Sequence, residues 1–169
     1  MAFSAAQADE IKVVSFNLRR DFGPQRKNRW ETRKELAARL IEESNASIIG
    51  VQEFLPQMRR DLKGLLDGYS IFGRGRLSGK KPQNDEHADI IIKNKEVEVA
   101  RCRTFWLSKN PDIPSRALFA VYPRICTVAE VRLKKSGRRL RVFNTARTRG
   151  EYHMWLPIAA QVEEGTEFL

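Results

Sequence analysis

The order of its predicted elements is the feature that most restricts the fold of this chain. Up to residue 68, two segments with strand patterns alternate with two segments with helix patterns, and from Tyr69 to Asn144 only strand patterns follow. This order is typical of a mixed α/β sandwich, whereas a doubly wound sheet would keep alternating. We therefore expect an α/β (α+β) architecture in one domain, because 169 residues provide one core but not comfortably two.

The first half should contain a strand at 11–18, a helix at 28–44, a strand at 46–51 and a helix from Pro56 to residue 68. The run 46–51 is continuously apolar, which predicts a strand buried on both faces. The first helix should begin with a capping pair of Asn28 and Glu31. Its apolar face is predicted to contain Trp30, Leu36, Ala37, Leu40 and Ile41.

The second half should contain five strands with two long loops between them. The strands are predicted at 69–72, 90–92, 97–107, 125–133 and 139–144, with a hairpin turn at 135–137. A polar loop spans 73–85, and a proline-rich loop spans 110–123. Cys102 and Cys126 lie in alternating segments, so we expect two buried free thiols.

The charge balance of the chain points to anionic partners. Lys and Arg number 31 against 21 Asp and Glu, which gives a net charge of +10. Such an excess attracts polyanions such as nucleic acid, although dispersed basic residues are equally compatible with a solvated surface. No apolar run reaches the roughly 20 residues of a membrane-spanning helix, and the first residues lack a signal-peptide pattern. The chain is therefore expected to be cytoplasmic.

Six short segments together resemble one known family. They read SFNLRRD at 15–21, NRWETR at 28–33, IIGVQE at 48–53, FWLS at 105–108, PRICT at 123–127 and VFNT at 142–145. In this order and spacing they resemble the endonuclease/exonuclease/phosphatase family over residues 11–145. The resemblance implies the N-terminal part of a metal-dependent phosphoesterase, folded as a partial four-layer α-β-β-α sandwich with mixed sheets.

The chemistry of phosphoester hydrolysis explains why a carboxylate and an amide would stand at two strand ends. A divalent cation neutralises the phosphate oxygens and activates water, and Mg²⁺ is held well by one carboxylate with several waters. By resemblance, Glu53 is the principal ligand of Mg²⁺ or Mn²⁺, and Asn17 contacts the phosphate or the metal-bound water. From the residues alone, a surface glutamate before a helix and an asparagine in a turn are the simpler interpretations.

Two further side chains are candidates by resemblance. Arg124 resembles a family arginine near the site, where a guanidinium can bind phosphate with two hydrogen bonds, the alternative being an arginine at a strand edge. Glu86 resembles the glutamate of a Gly-Glu pair, although Asp85 stands in place of the glycine. Trp106 is predicted to belong to the core. The loop 73–79 lacks the spacing of a phosphate-binding P-loop.

The resemblance ends at residue 145. The family continues Asn-Thr-His with a catalytic histidine, but Ala146 follows Asn144 and Thr145 here, and the later Gly-Asp-Phe-Asn and Asp-His elements are not found. His87 and His153 match neither position. The segment 146–169 has a net charge of −2, against +12 for 1–145. We therefore divide the chain into a disordered start (1–10), a truncated domain (11–145) and a non-matching tail (146–169), the result of a shifted frame, a shortened gene or deliberate trimming.

Three functional hypotheses follow. The first is a Mg²⁺- or Mn²⁺-dependent phosphoesterase or phosphodiesterase, of nuclease or phosphatase type, that is inactive in this truncated form. The second is a remnant that binds polyanions such as nucleic acid without cutting them. The third is a poorly folded fragment without function. An incomplete sandwich would also expose a sheet that favours self-association.

Overall fold

Two sheets and two helices make up the described part of this computed structural model, which covers residues 10–21, 28–118 and 120–146. The elements are β1 (Val13–Asn17), α1 (Trp30–Ser44), β2 (Ile48–Gln52), α2 (Pro56–Leu65), β3 (Tyr69–Phe72), β4 (Ile90–Lys93), β5 (Val97–Trp106), β6 (Ile125–Leu133) and β7 (Arg139–Thr145). A short 3₁₀ helix, Pro82–Asn84, lies in the loop before β4. None of the described helices is long and apolar enough to cross a membrane.

The first sheet is mixed and has the strand order β1-β2-β4-β3. β1 and β2 are parallel, which requires a crossover, and α1 provides it. β4 is antiparallel to both β2 and β3. Both helices cover one face of this sheet, where Trp30, Ile41, Met58 and Leu62 are buried in one cluster with apolar residues of the strands.

The second sheet is antiparallel, with the order β5-β6-β7, and it packs face to face against the first. Ile48, Ile90 and Ile92 of the first sheet share a buried cluster with apolar residues of the second sheet, Ala129 and Val131 among them. The described residues thus form a helical layer and two sheet layers. The predicted mixed α+β sandwich is confirmed, as are the doubly buried β2, the start of α2 at Pro56 and the hairpin between β6 and β7.

A buried amide fastens the two sheets together. The Asn144 side chain on β7 donates to the backbone oxygens of Val51 (2.8 Å) and Asp89 (2.7 Å), and its Oδ1 accepts from Gln52 Nε2 at 2.7 Å. Gly50 makes room for it, because a Cβ there would lie 2.8 Å from Asn144 Oδ1. The segments IIGVQE and VFNT therefore contribute hydrogen bonds that connect the two sheets near the end of β2.

The predicted start and face of α1 were wrong in part. The N-cap is Arg29, and no side chain of the capping residue bonds to the helix. Instead Asp21, from outside the helix, accepts the backbone N–H of Trp30 at 3.1 Å, so an Asn28–Glu31 pair is not required. The helix packs through Trp30, Ala37, Ala38 and Ile41, whereas Leu36 and Leu40 lie at the flank and are each 45% exposed.

The two cysteines are free, as expected, but only one is buried. Cys126 lies on the central strand of its sheet, where burial raises the pKa of its thiol to about 11. Cys102 lies on the edge strand β5, just after an irregularity in the pairing between Val99 and Arg101, and is exposed. The predicted burial of Cys102 was wrong because strand alternation does not reveal which strand is at an edge. The predictions for residues 1–9 and 147–169 fall outside the described residues.

Candidate active site

The parallel pairing of β1 and β2 brings Asn17 and Glu53 together. Asn17 is paired with Gln52 across the two strands, so the next residue after β2 lies beside it. Asn17 Nδ2 donates to Glu53 Oε1 at 3.0 Å, and the backbone N–H of Arg20 donates to Glu53 Oε2 at 3.1 Å. Both donors are neutral. The carboxylate is therefore fixed in place while its negative charge stays available for a cation.

Unusual backbone geometry surrounds this pair. Arg19 has φ 50° and Glu53 has φ 55°, the left-handed region that costs residues with a Cβ roughly 1–2 kcal/mol each. Strained residues of this kind concentrate at functional sites. The Arg19 N–H donates to Asn17 Oδ1 at 2.8 Å, which orients the amide so that its Nδ2 faces Glu53.

The helix segment NRWETR holds the loop that follows β1. Arg33 donates to the backbone oxygens of Leu18 and Arg19, and its guanidinium lies over the Trp30 ring, 5.2 Å from the centroid. Burial lowers the pKa of Arg33, and the Asp21 carboxylate opposes that shift. This segment is one of those that carry the family resemblance, and its Arg33 holds the loop after β1 in place.

Glu86 lies next to this site as the centre of an ion-pair network. Arg20 Nη1 is 2.9 Å from Glu86 Oε1, and Arg76 donates to both carboxylate oxygens at 3.0 and 3.1 Å. Arg20 therefore contacts two carboxylates, Glu53 through its backbone N–H and Glu86 through its side chain. Charged donors surround Glu86, whereas neutral donors hold Glu53.

Asp85, which replaces the glycine of the family pattern, has a structural role. It is buried and accepts the backbone N–H groups of Leu77 and Gly79, each at 2.6 Å. A Cβ at Gly75 would lie 2.3 Å from this carboxylate, so the loop packs tightly around it. The loop 73–79 is thereby folded over Asp85 and carries Arg76 toward Glu86.

Arg124, at the start of β6, lines a small pocket with Arg76, Glu86 and Ala146. Ala146, which stands at the position of the family histidine, therefore lines the same pocket but has no ionisable group. The Arg124 guanidinium is close enough to Arg76 to lower the pKa of Arg76, after burial, which is the larger cause. The predicted candidates Asn17, Glu53, Glu86 and Arg124 thus lie around one end of the sandwich.

His87 lines the same pocket as Arg124 and Ala146, and its ring also belongs to a partly buried hydrogen-bond network. Its Nδ1 lies 3.1 Å from Asp89 Oδ1, and Arg59 Nε donates to Asp89 Oδ2 at 2.9 Å. Asp89 is fully buried, and Arg59 comes from α2. This network fastens α2 to β4, and it gives His87 a structural partner.

The donors present fit a hard cation that keeps most of its waters. Among residues 10–21, 28–118 and 120–146, no group of three or more His, Cys, Asp and Glu side chains could hold a metal. Glu53 is nevertheless half-exposed and carries two carboxylate oxygens, with the Asn17 amide beside them. One carboxylate with an amide nearby suits Mg²⁺ or Mn²⁺, which bind oxygen and retain waters, and does not suit a softer metal such as zinc.

Arg20 and Arg76 are the site residues that the sequence did not reveal. SFNLRRD contains Arg20 and the loop 73–79 contains Arg76, but neither segment marks these arginines as site residues. The signal that could have found them is the presence of arginines near the candidate residues: Arg19 and Arg20 come soon after Asn17, and Arg74 and Arg76 lie 12 and 10 residues before Glu86. Their pairing depends on two loops whose approach no periodic pattern encodes.

Solved structures resemble this chain over most of its described residues. An endonuclease/exonuclease/phosphatase family protein from Bacteroides vulgatus is 32% identical, with a TM-score of 0.75 over 80% of this chain and 51% of that chain. A mannosyl-6-phosphatase from Bacteroides thetaiotaomicron is also 32% identical, with a TM-score of 0.74 over 79% of this chain and 50% of that chain. A further family protein from B. thetaiotaomicron gives 32% identity and a TM-score of 0.73, over 79% and 47%.

No family model matches the chain, and no curated protein does. The chain spans about half the length of the solved structures that it matches. Over that span, the structures share its two sheets, its helices and nearly a third of its residues. The chain thus has the fold and the sequence pattern of the endonuclease/exonuclease/phosphatase family, and the resemblance found in the sequence is confirmed.

Proposed function

We propose that the end of the sandwich around Asn17 and Glu53 is part of a phosphoesterase site that works with Mg²⁺ or Mn²⁺. The observation that carries this proposal is the Glu53 carboxylate, held at 3.0 and 3.1 Å by an amide and a backbone N–H and in a strained conformation. The 32% identity to a mannosyl-6-phosphatase supports phosphate esters as the substrate class. Nucleic acid, which is also a phosphate ester, belongs to the same class.

Each of these residues has a separate task in the proposed reaction. Glu53 holds the cation, which when bound neutralises phosphate oxygens and activates water. Asn17 and the Arg20 N–H keep the Glu53 carboxylate in one orientation. Arg124, which lines the adjacent pocket, binds a phosphate oxygen pair through its guanidinium. Proton transfer from water requires a further base, which the family supplies by its histidine.

We further propose that these 169 residues do not turn over by themselves. General-base catalysis contributes roughly 10²–10⁴-fold to such reactions. Ala146 cannot take up a proton, and His87, which lines the same pocket, is held by Asp89. The chain should therefore bind a metal ion and a phosphate group without hydrolysing the ester.

Metal binding and hydrolysis can be tested separately. Mn²⁺ titrated into the protein and followed by water proton relaxation should show one weak site that is lost in Glu53→Gln. Glu98→Gln removes the same charge from an exposed position on β5 and should leave binding unchanged. Mannose 6-phosphate and bis(p-nitrophenyl) phosphate should show no hydrolysis above buffer with Mg²⁺. Equal Mn²⁺ affinity in the two variants would refute the metal site, and hydrolysis lost in Glu53→Gln would refute the inactivity.

A second candidate function is the binding of polyanions without hydrolysis. The net charge of +10 favours it, because each phosphate contact releases counterions. Binding to a single-stranded oligonucleotide should then weaken steeply as salt is raised from about 50 to 200 mM. Affinity that does not change with salt would exclude this function.

Self-association remains a prediction of the third hypothesis. Phe143 on β7 is 41% exposed. Apolar residues of the loop 111–122 are exposed as well, such as Leu118 at 85%. Exposed apolar side chains next to a sheet edge favour association. Sedimentation over a concentration series should show oligomers that Phe143→Lys reduces. A monomer at every concentration would contradict the prediction.

A further inference from the structure

Tyr122 is an exposed aromatic residue beside the pocket of the candidate site. It directly precedes Pro123 and Arg124, which both line that pocket, and it is 54% exposed. A large aromatic ring gains free energy when its apolar surface is covered. Because single exposed side chains are common at protein surfaces, the exposure of Tyr122 has a meaning only through its position and the way the ring is held.

The ring of Tyr122 is held by Arg76. The guanidinium of Arg76 lies over the ring, 4.9 Å from its centroid, in the arrangement of a cation–π contact. Arg76 is itself fixed, because it is 6% exposed, donates to both oxygens of Glu86 at 3.0 and 3.1 Å, and accepts from Trp106 Nε1 through its backbone oxygen at 2.8 Å. The ring thus has a fixed partner and still leaves more than half of the residue open to solvent.

The backbone on both sides of Tyr122 is anchored as well. Ala120 is 8% exposed, and its N–H donates to the backbone oxygen of Ala117 at 3.0 Å. The backbone oxygen of Arg124 accepts the N–H of Leu107 at 2.8 Å, which ties the end of the loop to the strand β5. A side chain on an anchored backbone loses little conformational freedom when a ligand covers it.

The distance along the chain places the ring within reach of a ligand in the pocket. Tyr122 and Arg124 are two residues apart, so their Cα atoms are separated by no more than about 7.5 Å. The proposed function assigns Arg124 to a phosphate oxygen pair, and Arg76 lines the same pocket while it contacts the Tyr122 ring. The part of an ester that extends from that phosphate toward Tyr122 would meet an exposed aromatic surface.

We propose that Tyr122 is a specificity-determining residue, which stacks against a flat ring in the alcohol part of the substrate ester. This inference rests on the proposed function and narrows its substrate class to phosphate esters with a ring close to the phosphorus. Aromatic rings, including nucleobases, stack on tyrosine. The apolar C–H face of a sugar ring offers the same kind of flat contact. Both sources share the chemistry that Tyr122 recognises.

The first test compares three phosphate monoesters by calorimetry with Mg²⁺, at constant ionic strength and at a pH where all three are dianions. They are 4-nitrophenyl phosphate, mannose 6-phosphate and glycerol 1-phosphate, which has no ring. At least one ring ester should bind about three- to tenfold more tightly than glycerol 1-phosphate. A gain for the first ester supports an aromatic alcohol, and a gain for the second supports a sugar. The absence of a gain for both would overturn the proposal.

The second test assigns the gain to the Tyr122 ring. Tyr122→Ala should abolish the gain, whereas Tyr122→Phe should retain it because the ring face is unchanged. Phe143→Ala removes another exposed ring, on β7, and should also retain the gain. If Tyr122→Ala does not fold, Tyr122→Leu, which has apolar bulk but no ring, decides. A gain that persists without the Tyr122 ring would overturn the proposal.

The third test distinguishes stacking from support of Arg76. Inorganic phosphate has no alcohol part, so Tyr122→Ala should change its affinity less than about twofold. A loss of phosphate affinity as large as the loss for the ring ester would show that Tyr122 acts only through Arg76, which would overturn the stacking role.

The inference and the proposed function fail in different ways. Equal binding of ring and acyclic esters, with Mn²⁺ bound at Glu53, would overturn the inference alone. If none of the esters binds to the unmodified protein, the proposed phosphate site is refuted and the inference with it.

Discussion

Glu53 and Glu86 lie on either side of Arg20, but the groups that donate hydrogen bonds to them differ in charge. Glu53 accepts hydrogen bonds from an amide and a backbone N–H, both neutral. Glu86 accepts hydrogen bonds from two guanidinium groups. A carboxylate with neutral donors keeps its charge for a cation, whereas one with several guanidinium groups serves to position them. Sequence resemblance alone makes both glutamates site residues, and the contacts separate their roles.

The two glutamates should also differ in whether they contribute mainly to metal binding or mainly to the stability of the fold. Glu53, like Glu86, is partly buried, but it has a left-handed backbone conformation that destabilises the fold. Glu86 is 13% exposed at its side chain and pairs with Arg76, which is 7% exposed. We therefore expect substitutions at Glu86 to act mainly on folding and substitutions at Glu53 mainly on metal binding.

The largest effect should come from Glu86→Ala. Removing one partner of a buried pair leaves Arg76 with an uncompensated charge, which typically costs about 3–5 kcal/mol of unfolding free energy. Glu53→Ala removes two hydrogen bonds at a half-exposed position and should cost less than about 1.5 kcal/mol. Urea unfolding of both variants measures the difference. Similar losses in the two variants would remove the contrast between the glutamates.

An intermediate effect is expected from Asp85→Gly, which introduces the residue of the family pattern. Asp85 accepts two backbone N–H groups at 2.6 Å, and each such bond to a charged group contributes about 1.5 kcal/mol or more. The variant should lose about 2–3 kcal/mol of unfolding free energy, partly offset where water replaces the bonds. Urea unfolding gives the loss, and unchanged stability would show that the loop 73–79 folds without Asp85. Asp67→Gly, after the end of α2, is a control at an exposed aspartate.

The smallest effect concerns the backbone at Glu53. With φ 55°, glycine should be more stable there than alanine by about 1 kcal/mol, because a Cβ is disfavoured in the left-handed region. Glu53→Gly and Glu53→Ala lack the carboxylate equally, so both should lose Mn²⁺ while they differ in stability. Equal unfolding free energies would mean that the left-handed conformation at Glu53 carries no strain.

The sequence could predict those parts of the fold that show a recognisable pattern of apolar residues or a helix-starting proline. β2 is buried on both faces and reads as a continuous apolar run, and β6 and α2 begin where the pattern and Pro56 place them. Leu36 and Leu40 belong to the predicted apolar face of α1 but are each 45% exposed, because helical periodicity does not tell which edge of a wide apolar face the sheet covers. Cys102 was misplaced because alternation is the same on edge and central strands.

The candidate site could be predicted only in part. The family resemblance marks Asn17 and Glu53, and the parallel pairing of β1 and β2 places their side chains in contact. The arginines around Glu86 were missed because they come from the loop after β1, the loop 73–79 and the residue before β6, which are far apart in sequence. In the sequence, Asp85 is only a departure from the family pattern. Its contacts in the structure show that it supports the loop that carries Arg76.

The most direct test of the contrast between the two glutamates is to map where Mn²⁺ binds, residue by residue, by paramagnetic broadening of backbone amide NMR signals. The account predicts that the amides of Asn17, Arg20 and Glu53 broaden first, and that Glu53→Gln abolishes the broadening. Arg124→Gln, a change in the pocket beside Glu86, should leave the broadening intact. Broadening that centres elsewhere on the chain, or that persists unchanged in Glu53→Gln, would contradict the assignment of Glu53 as the cation site.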